Sequence, residues 1–229
     1  MRLRVYKFVL LAFFTFLIFY ILLGSRLVHF KDYSDLRIGL ISKDKIRTGD
    51  VFLLSYESPF RVVGQSFLGS RFFHPALMFW EGKELFVLEY AQYNPPYDGI
   101  NKIPFEIWYR INRDSLFLHN SLTYTGELNL SEEINKYYLK YQNMKVIDRM
   151  AWTRMMINQN KRYVPKNITS DAMICTEFLA QFFIEIGAVK NVKALEKYEP
   201  EDYVGMKGFT LHKDFNYDYY LSDMSLISY

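Results

Sequence analysis

A-M-I-C-T-E-F-L-A-Q-F-F-I-E-I, residues 172–186, is the stretch on which the reading of this chain turns. Apolar residues recur at 174, 178, 179, 182, 183 and 186, the spacing of one helix face. Ser170 and Asp171 stand just before it, with side chains suited to capping a first turn. Gly187 follows the last apolar residue and predicts the stop. Cys175, the only cysteine in the chain, shares a side with Leu179, Phe182 and Ile186 near the start of this helix. A thiol there faces inward beside amide N–H groups and the positive end of the helix dipole, and both favour a thiolate. The competing reading is a small core residue, the usual fate of a lone cysteine on an apolar face.

Working outward, a thiol nucleophile needs a base within hydrogen-bond reach and a third group to orient that base. Four histidines are available. His29 sits beside the N-terminal apolar run, His212 lies late in the chain, and His119 ends a strand candidate at 116–119. Only His74 opens a hairpin that carries a buried-looking carboxylate. His74-Pro75 leads into a strand at 76–80, Glu81-Gly82-Lys83-Glu84 supplies a turn, and 85–91 returns. Proline is tolerated at a strand's first residues but not at its centre. Glu89 lies between Leu88 and Tyr90 on the returning strand, so His74 and Glu89 can meet across the hairpin. A charge inside an apolar strand is costly unless paired. The alternative is a Glu turned to solvent on an alternating strand.

The remaining elements are read the same way. Gly49-Asp50 is a turn before a buried-type strand at 51–55. Residues 57–71 are irregular, with Pro59, Gly64 and Gly69. Strand candidates fall at 100–103, 108–111 and 116–119. Helices are expected at 131–145, with Glu132 and Glu133 in the first turn, and at 147–158. Residues 188–202 read as loop, 209–215 as a closing strand, and the rest as a tyrosine-rich tail.

Residues 8–23 form an unbroken run without a charged side chain. Extended to Val5, with Lys7 able to snorkel, a helix over 5–23 spans roughly 28 Å, close to the hydrocarbon thickness. A signal peptide would use Arg2, Arg4 and Lys7 as its basic region, but Leu22-Leu23-Gly24-Ser25 lacks a small-x-small cleavage pattern. An uncleaved single-span anchor is therefore expected, followed by a linker at 26–47 and one domain at 48–229. The tight basic cluster ahead of the run leans toward a cytoplasmic N-terminus with the domain across the membrane.

Composition removes several classes. A net charge of +3, without a basic stripe interleaved with aromatics, does not suggest nucleic acid. One cysteine excludes an internal disulfide framework and zinc sites built on paired cysteines. No Gly-rich phosphate loop and no internal repeat is present, and no cofactor or metal is expected. A metal hydrolase using His74 and Glu89 would lack a third well-placed ligand. The 19 Tyr and 20 Phe are ample for a packed core. Asn129-Leu130-Ser131 and Asn167-Ile168-Thr169 fit the glycosylation pattern, which matters only in a eukaryotic secretory compartment.

Taken together, Gly49-Asp50-Val51-Phe52-Leu53, His74 opening a strand, Glu89, and a helix beginning Cys175-Thr176-Glu177-Phe178 resemble the permuted NlpC-type papain-like cysteine enzymes. The YiiX-like branch is nearest, with lecithin:retinol acyltransferase a more distant relative. Pro200-Glu201-Asp202-Tyr203 is similar to the Pro-x-Asp turn that follows the helix in that family. Pro75 departs from the small or β-branched residue usual after the histidine. The resemblance covers 48–215. It implies an α+β fold: an antiparallel sheet or partial barrel packed on the Cys175 helix. It also implies Cys175 as nucleophile, His74 as general base and Glu89 as the orienting residue. The N–H of Cys175 would form part of an oxyanion hole, with Tyr56 a second candidate donor. The expected activity is hydrolysis of an amide or ester through an acyl-enzyme, on a peptide or lipid acyl substrate, or acyl transfer in the same fold. A non-catalytic membrane-tethered scaffold with a core cysteine is the competing expectation.

Overall fold

The structure, a computed structural model, describes residues 6, 10–17, 41–55, 72, 74–92, 98–113, 115–146, 172–190 and 193–223. Its centre is a six-stranded sheet: β1 Val51–Ser55, β2 His74–Glu81, β3 Glu84–Gln92, β4 Asp98–Pro104, β5 Leu116–Tyr124 and β10 Phe215–Asp223. The order is β10-β5-β1-β2-β3-β4, and every pairing is antiparallel. Among the described residues the sheet is open, with β10 and β4 at its edges, the antiparallel sheet of the two forms expected rather than the partial barrel. The short pairs β6 Lys145–Val146 with β7 Ala172–Met173, and β8 Val189–Lys190 with β9 Thr210–Leu211, lie apart from it.

The α+β architecture follows from two apolar faces. On one face, Leu53, Leu77, Phe79, Leu88 and Tyr90 pack with Phe178, Leu179, Phe182 and Phe183 of the helix Cys175–Glu185, and with Ile134 and Tyr137 of the helix Leu130–Tyr141. On the other, Phe52, Leu54, Ala76, Met78, Val87 and Phe117 pack with Phe105 and Trp108 of the helix Phe105–Asn112, and with Ile41 and Ile46. Strand β1 is central and covered on both sides, so all five of its residues are buried and the first four are apolar without a break. Fully burying a side chain such as Phe52 or Phe178 contributes roughly 1.5–3 kcal/mol.

Several expectations change on contact with the fold. Residues 108–111 are not a strand but part of the helix Phe105–Asn112. Phe105, Trp108 and Asn112 are its buried residues, a spacing of three and four that suits a helix and not a two-residue alternation. Pro104 stands at its N-cap. The tyrosine-rich tail is largely β10, paired along its whole length with β5, whereas 209–215 contributes only β9 and the first residue of β10. Phe215 and Tyr217 are buried while Asn216 and Asp218 are exposed, the alternation of a strand with one face covered. Strand β5 runs on to Tyr124, past the expected His119. The helix expected at 131–145 is Leu130–Tyr141, capped by the Asn129 side chain on Glu132 N–H. Residues 188–202, read as loop, contain β8 and two 3-10 turns, Leu195–Lys197 and Pro200–Met206.

The Cys175 helix begins three residues later than expected. Ala172 and Met173 are extended in β7, and Ile174 occupies the N-cap. Its N–H donates to the Glu177 carboxylate at 3.0 Å, so the cap is supplied by Glu177. Ser170 and Asp171 lie outside the described residues, as do the expected helix at 147–158, the segment 57–71, Tyr56 and His29. Of the apolar 5–23 run, residues 6 and 10–17 are described. They are helical, with Leu10, Leu11, Phe13, Phe14 and Phe16 exposed. Among the described residues no helix is long and apolar enough to cross a membrane.

Candidate active site

Cys175 is the first residue of its helix and is half-buried. The helix itself leaves the N–H groups of its first turn unused, so the thiol stands where partial positive charge gathers. Two buried tyrosines grip this end of the helix. Tyr203 donates its O–H to the Thr176 carbonyl, and Tyr137 donates to the Phe178 carbonyl at 2.6 Å. Burial foremost, and then the charge of Cys175, push the Tyr203 phenol well above its ordinary range, so its O–H remains a donor. Tyr203 comes from the Pro200–Met206 turn, whose first turn is fixed by Asp202 accepting from Glu199 N–H at 2.7 Å.

His74 is the first residue of β2 and pairs with Leu54 of β1, which places it on the face that carries Phe52 and Trp108. The β2–β3 ladder begins only at Leu77↔Leu88. Pro75 therefore lies in a stretch where β3 asks for no N–H, which is why a proline is tolerated in a central strand. It also leaves the ring at the rim of the sheet, where a thiol from the opposite face can reach it. His74 is 8% exposed. Its Nε2 lies 2.8 Å from Glu89 Oε2, and its side chain hydrogen-bonds Cys175. With Nε2 on the carboxylate, Nδ1 is the nitrogen left for the sulfur. Burial works against charging this ring. The hydrogen bonds to Cys175 and Glu89, with the negative charge of both, outweigh that and push His74 up to about 10 from 6.5.

Glu89 is fully buried, so the solvent-facing alternative does not hold. Its Oε2 accepts a second hydrogen bond, from Trp108 Nε1 at 2.8 Å. Its Oε1 is buried and has no partner among the described residues. The fold thus brings Cys175, His74 and Glu89 together from positions 74, 89 and 175, on three separate elements. A charge-supported ring between a thiol and a carboxylate can shuttle a proton and hold a thiolate.

The other histidines fall elsewhere. His212 is exposed, 3.3 Å from Asp214. His119 is buried in β5 against Asp50 at 2.6 Å, a pair the sequence reading missed by treating Gly49-Asp50 only as a turn. Trp108 was missed because it was placed on a strand; Pro104 followed by apolar residues three and four apart was the available signal. Among the described residues no group of three or more His, Cys, Asp or Glu is set to hold a metal ion.

No family model matches the chain, and no curated protein does. Among solved structures it is similar to the crystal structure of the metalloprotein YiiX from Escherichia coli O157:H7, at 12% identity and a TM-score of 0.45, over 76% of this chain and 97% of that one.

Proposed function

We propose that this chain is a cysteine hydrolase of the permuted NlpC-type papain-like kind, acting on an amide or ester of a peptide or lipid acyl substrate. The single observation that carries the reading is that His74 bonds both the Cys175 thiol and the buried Glu89. The chain order supports it too, since the sheet and its histidine precede the cysteine helix.

In the proposed reaction the Cys175 sulfur, as thiolate, attacks the carbonyl carbon. The carbonyl π pair moves to oxygen and is met by N–H groups of the helix's first turn, Cys175 N–H among them. The C–N or C–O bond breaks as the His74 imidazolium gives its proton to the leaving amine or alcohol. Water, or an acceptor hydroxyl or amine, then attacks the thioester while His74 takes its proton. The carboxylic acid or transferred acyl product departs and the thiolate returns. Glu89 holds the ring's tautomer and stabilises its charge throughout. Residues 5–23 would tether the 48–229 domain to a membrane as a single span through the linker 26–47, with the domain on the non-cytoplasmic side.

The test is an ester probe with a reporter acyl chain and a p-nitrophenolate leaving group, followed by mass spectrometry. The expected result is one acyl adduct on Cys175, absent from Cys175→Ala. An adduct that persists in Cys175→Ala overturns the assignment. A thiol that resists alkylation in the folded protein returns the chain to the tethered-scaffold reading.

A further inference from the structure

We infer that Trp108 is a positioning residue of this site, acting on Cys175 through Glu89 and His74. The inference rests on the reading above and extends it to a residue that touches neither sulfur nor substrate.

The geometry is specific. Two N–H donors from different elements, His74 Nε2 and Trp108 Nε1, converge on the same oxygen of Glu89, each at 2.8 Å. That carboxylate is fully buried, and its other oxygen has no partner among the described residues. A buried carboxylate loses its hydration, and what opposes its neutralisation is hydrogen bonding to the charged form. Here the indole supplies the only such bond from outside the proposed triad among the described contacts. The same bond fixes where the carboxylate points, because it anchors Oε2 rather than Oε1.

The indole is itself held rigidly. Trp108 is fully buried, with ring centroids 6.1 Å from Phe52 and 6.0 Å from Phe105, and Asn112 Nδ2 donates to its carbonyl at 2.9 Å. A buried indole N–H needs an acceptor, so the bond could exist merely to satisfy Trp108. The two roles part on what they predict for the sulfur. A purely structural bond changes stability alone. A positioning bond changes how strongly Glu89 supports the charged ring, and so how reactive the thiol is at a given pH.

Because Cys175 is the only cysteine, iodoacetamide alkylation of the full chain reads this one site directly. Trp108→Phe keeps an aromatic ring and deletes the donor. Its expected effect is about a tenfold slower alkylation at neutral pH, with the rising limb of the rate profile moved to higher pH. Glu89→Gln should do the same more strongly, and adding Trp108→Phe to Glu89→Gln should change reactivity no further. Phe105→Leu disturbs the same apolar cluster without touching the bond, and should lower stability while leaving the profile in place.

Wild-type and Trp108→Phe profiles that coincide overturn the inference and leave the proposed function standing. Effects of Trp108→Phe and Glu89→Gln that simply multiply also overturn it, since the indole would then act by another route. A wild-type thiol that fails to react overturns the enzyme reading itself.

Discussion

Two imidazoles in this fold are buried against carboxylates, on the same face of the same sheet, and they are built to opposite ends. His119 meets Asp50 at 2.6 Å and His74 meets Glu89 at 2.8 Å. Asp50 is saturated by backbone: Oδ1 accepts from Leu122 N–H at 2.7 Å, and Oδ2 from Arg47 N–H at 2.9 Å. Its histidine is wedged against Phe52, centroids 4.6 Å apart, and His119 Nδ1 is buried without a partner among the described residues. That pair ties the turn ahead of β1 to the middle of β5. Among the described residues Glu89 instead accepts from side chains, and its histidine stands at the end of a strand with a half-buried thiol on its other side. A His–carboxylate pair is thus not by itself a catalytic signature. What separates the two is whether the ring's second nitrogen faces the Cys175 thiol at the rim or a sealed core.

The sharpest way to break this comparison is to remove the sulfur or its ring. Cys175→Ala and His74→Ala should each lower acyl-enzyme formation by about 10⁴-fold or more, by analogy with losses measured on nucleophile–base–acid sites. Labelling by the ester probe checks it. His119→Ala should leave labelling of the folded fraction within a few-fold of wild type. Equal losses from the two histidines would erase the distinction.

Next in size is the stability cost on the sealed side. Asp50→Ala strands a buried ring and two backbone N–H groups. Leaving buried donors unpaired costs about 1–3 kcal/mol each, which urea denaturation would read. Alkylation of Cys175 in the remaining folded protein should keep its wild-type pH profile. A profile that moves with Asp50 would join the two pairs into one network.

How much of this could be seen in the sequence divides along the same line. The rim site was legible because its parts carry local signals: a histidine opening an apolar hairpin, a Glu stranded inside one, and a cysteine at the head of an amphipathic run. The sealed pair was not. Gly49-Asp50 looks like any turn, and nothing local says that an aspartate there will accept from Leu122, 72 residues on. Trp108 was lost to a wrong period, since W-Y-R-I fits a strand until Phe105 is counted with it. β10 was hidden because tyrosines stand on both of its faces, Tyr217 and Tyr219 toward the core and Tyr220 away from it, so the alternation of faces is not one of apolar and polar. The α+β class survives these errors because the central strands and the Cys175 helix bury most of the core.

The pH dependence of His74 sharpens the comparison further. Its folded value is raised, to about 10 from 6.5. The ring's bonds therefore contribute stability fully below about 6.5, and that contribution is lost as pH rises through about 10. The unfolding free-energy gap between wild type and His74→Gln should be largest in mild acid and shrink steadily toward pH 10. A gap that widens with pH would mean that the folded protein holds this ring neutral.

The smallest effects come from two tyrosines, one on each side of the comparison. Tyr203 donates to the Thr176 carbonyl, next to the thiol, and Tyr217 donates to the Gly49 carbonyl at 3.1 Å, next to Asp50. Each is buried, and each bond joins a distant part of the chain to one histidine's neighbourhood. Replacing either with Phe removes one hydroxyl and keeps the ring, so each should cost about 1 kcal/mol of stability. Equal costs in stability need not mean equal consequences for the sulfur. Tyr203 fixes the carbonyl of the residue after Cys175, and its loss lets the helix's first turn shift against the ring; Tyr217 fixes only the sealed pair. Tyr203→Phe should therefore slow alkylation of Cys175 by a few-fold while Tyr217→Phe leaves it unchanged. If both substitutions slow the thiol alike, the rim and the sealed core are one mechanical unit, and the separation drawn between the two imidazoles fails.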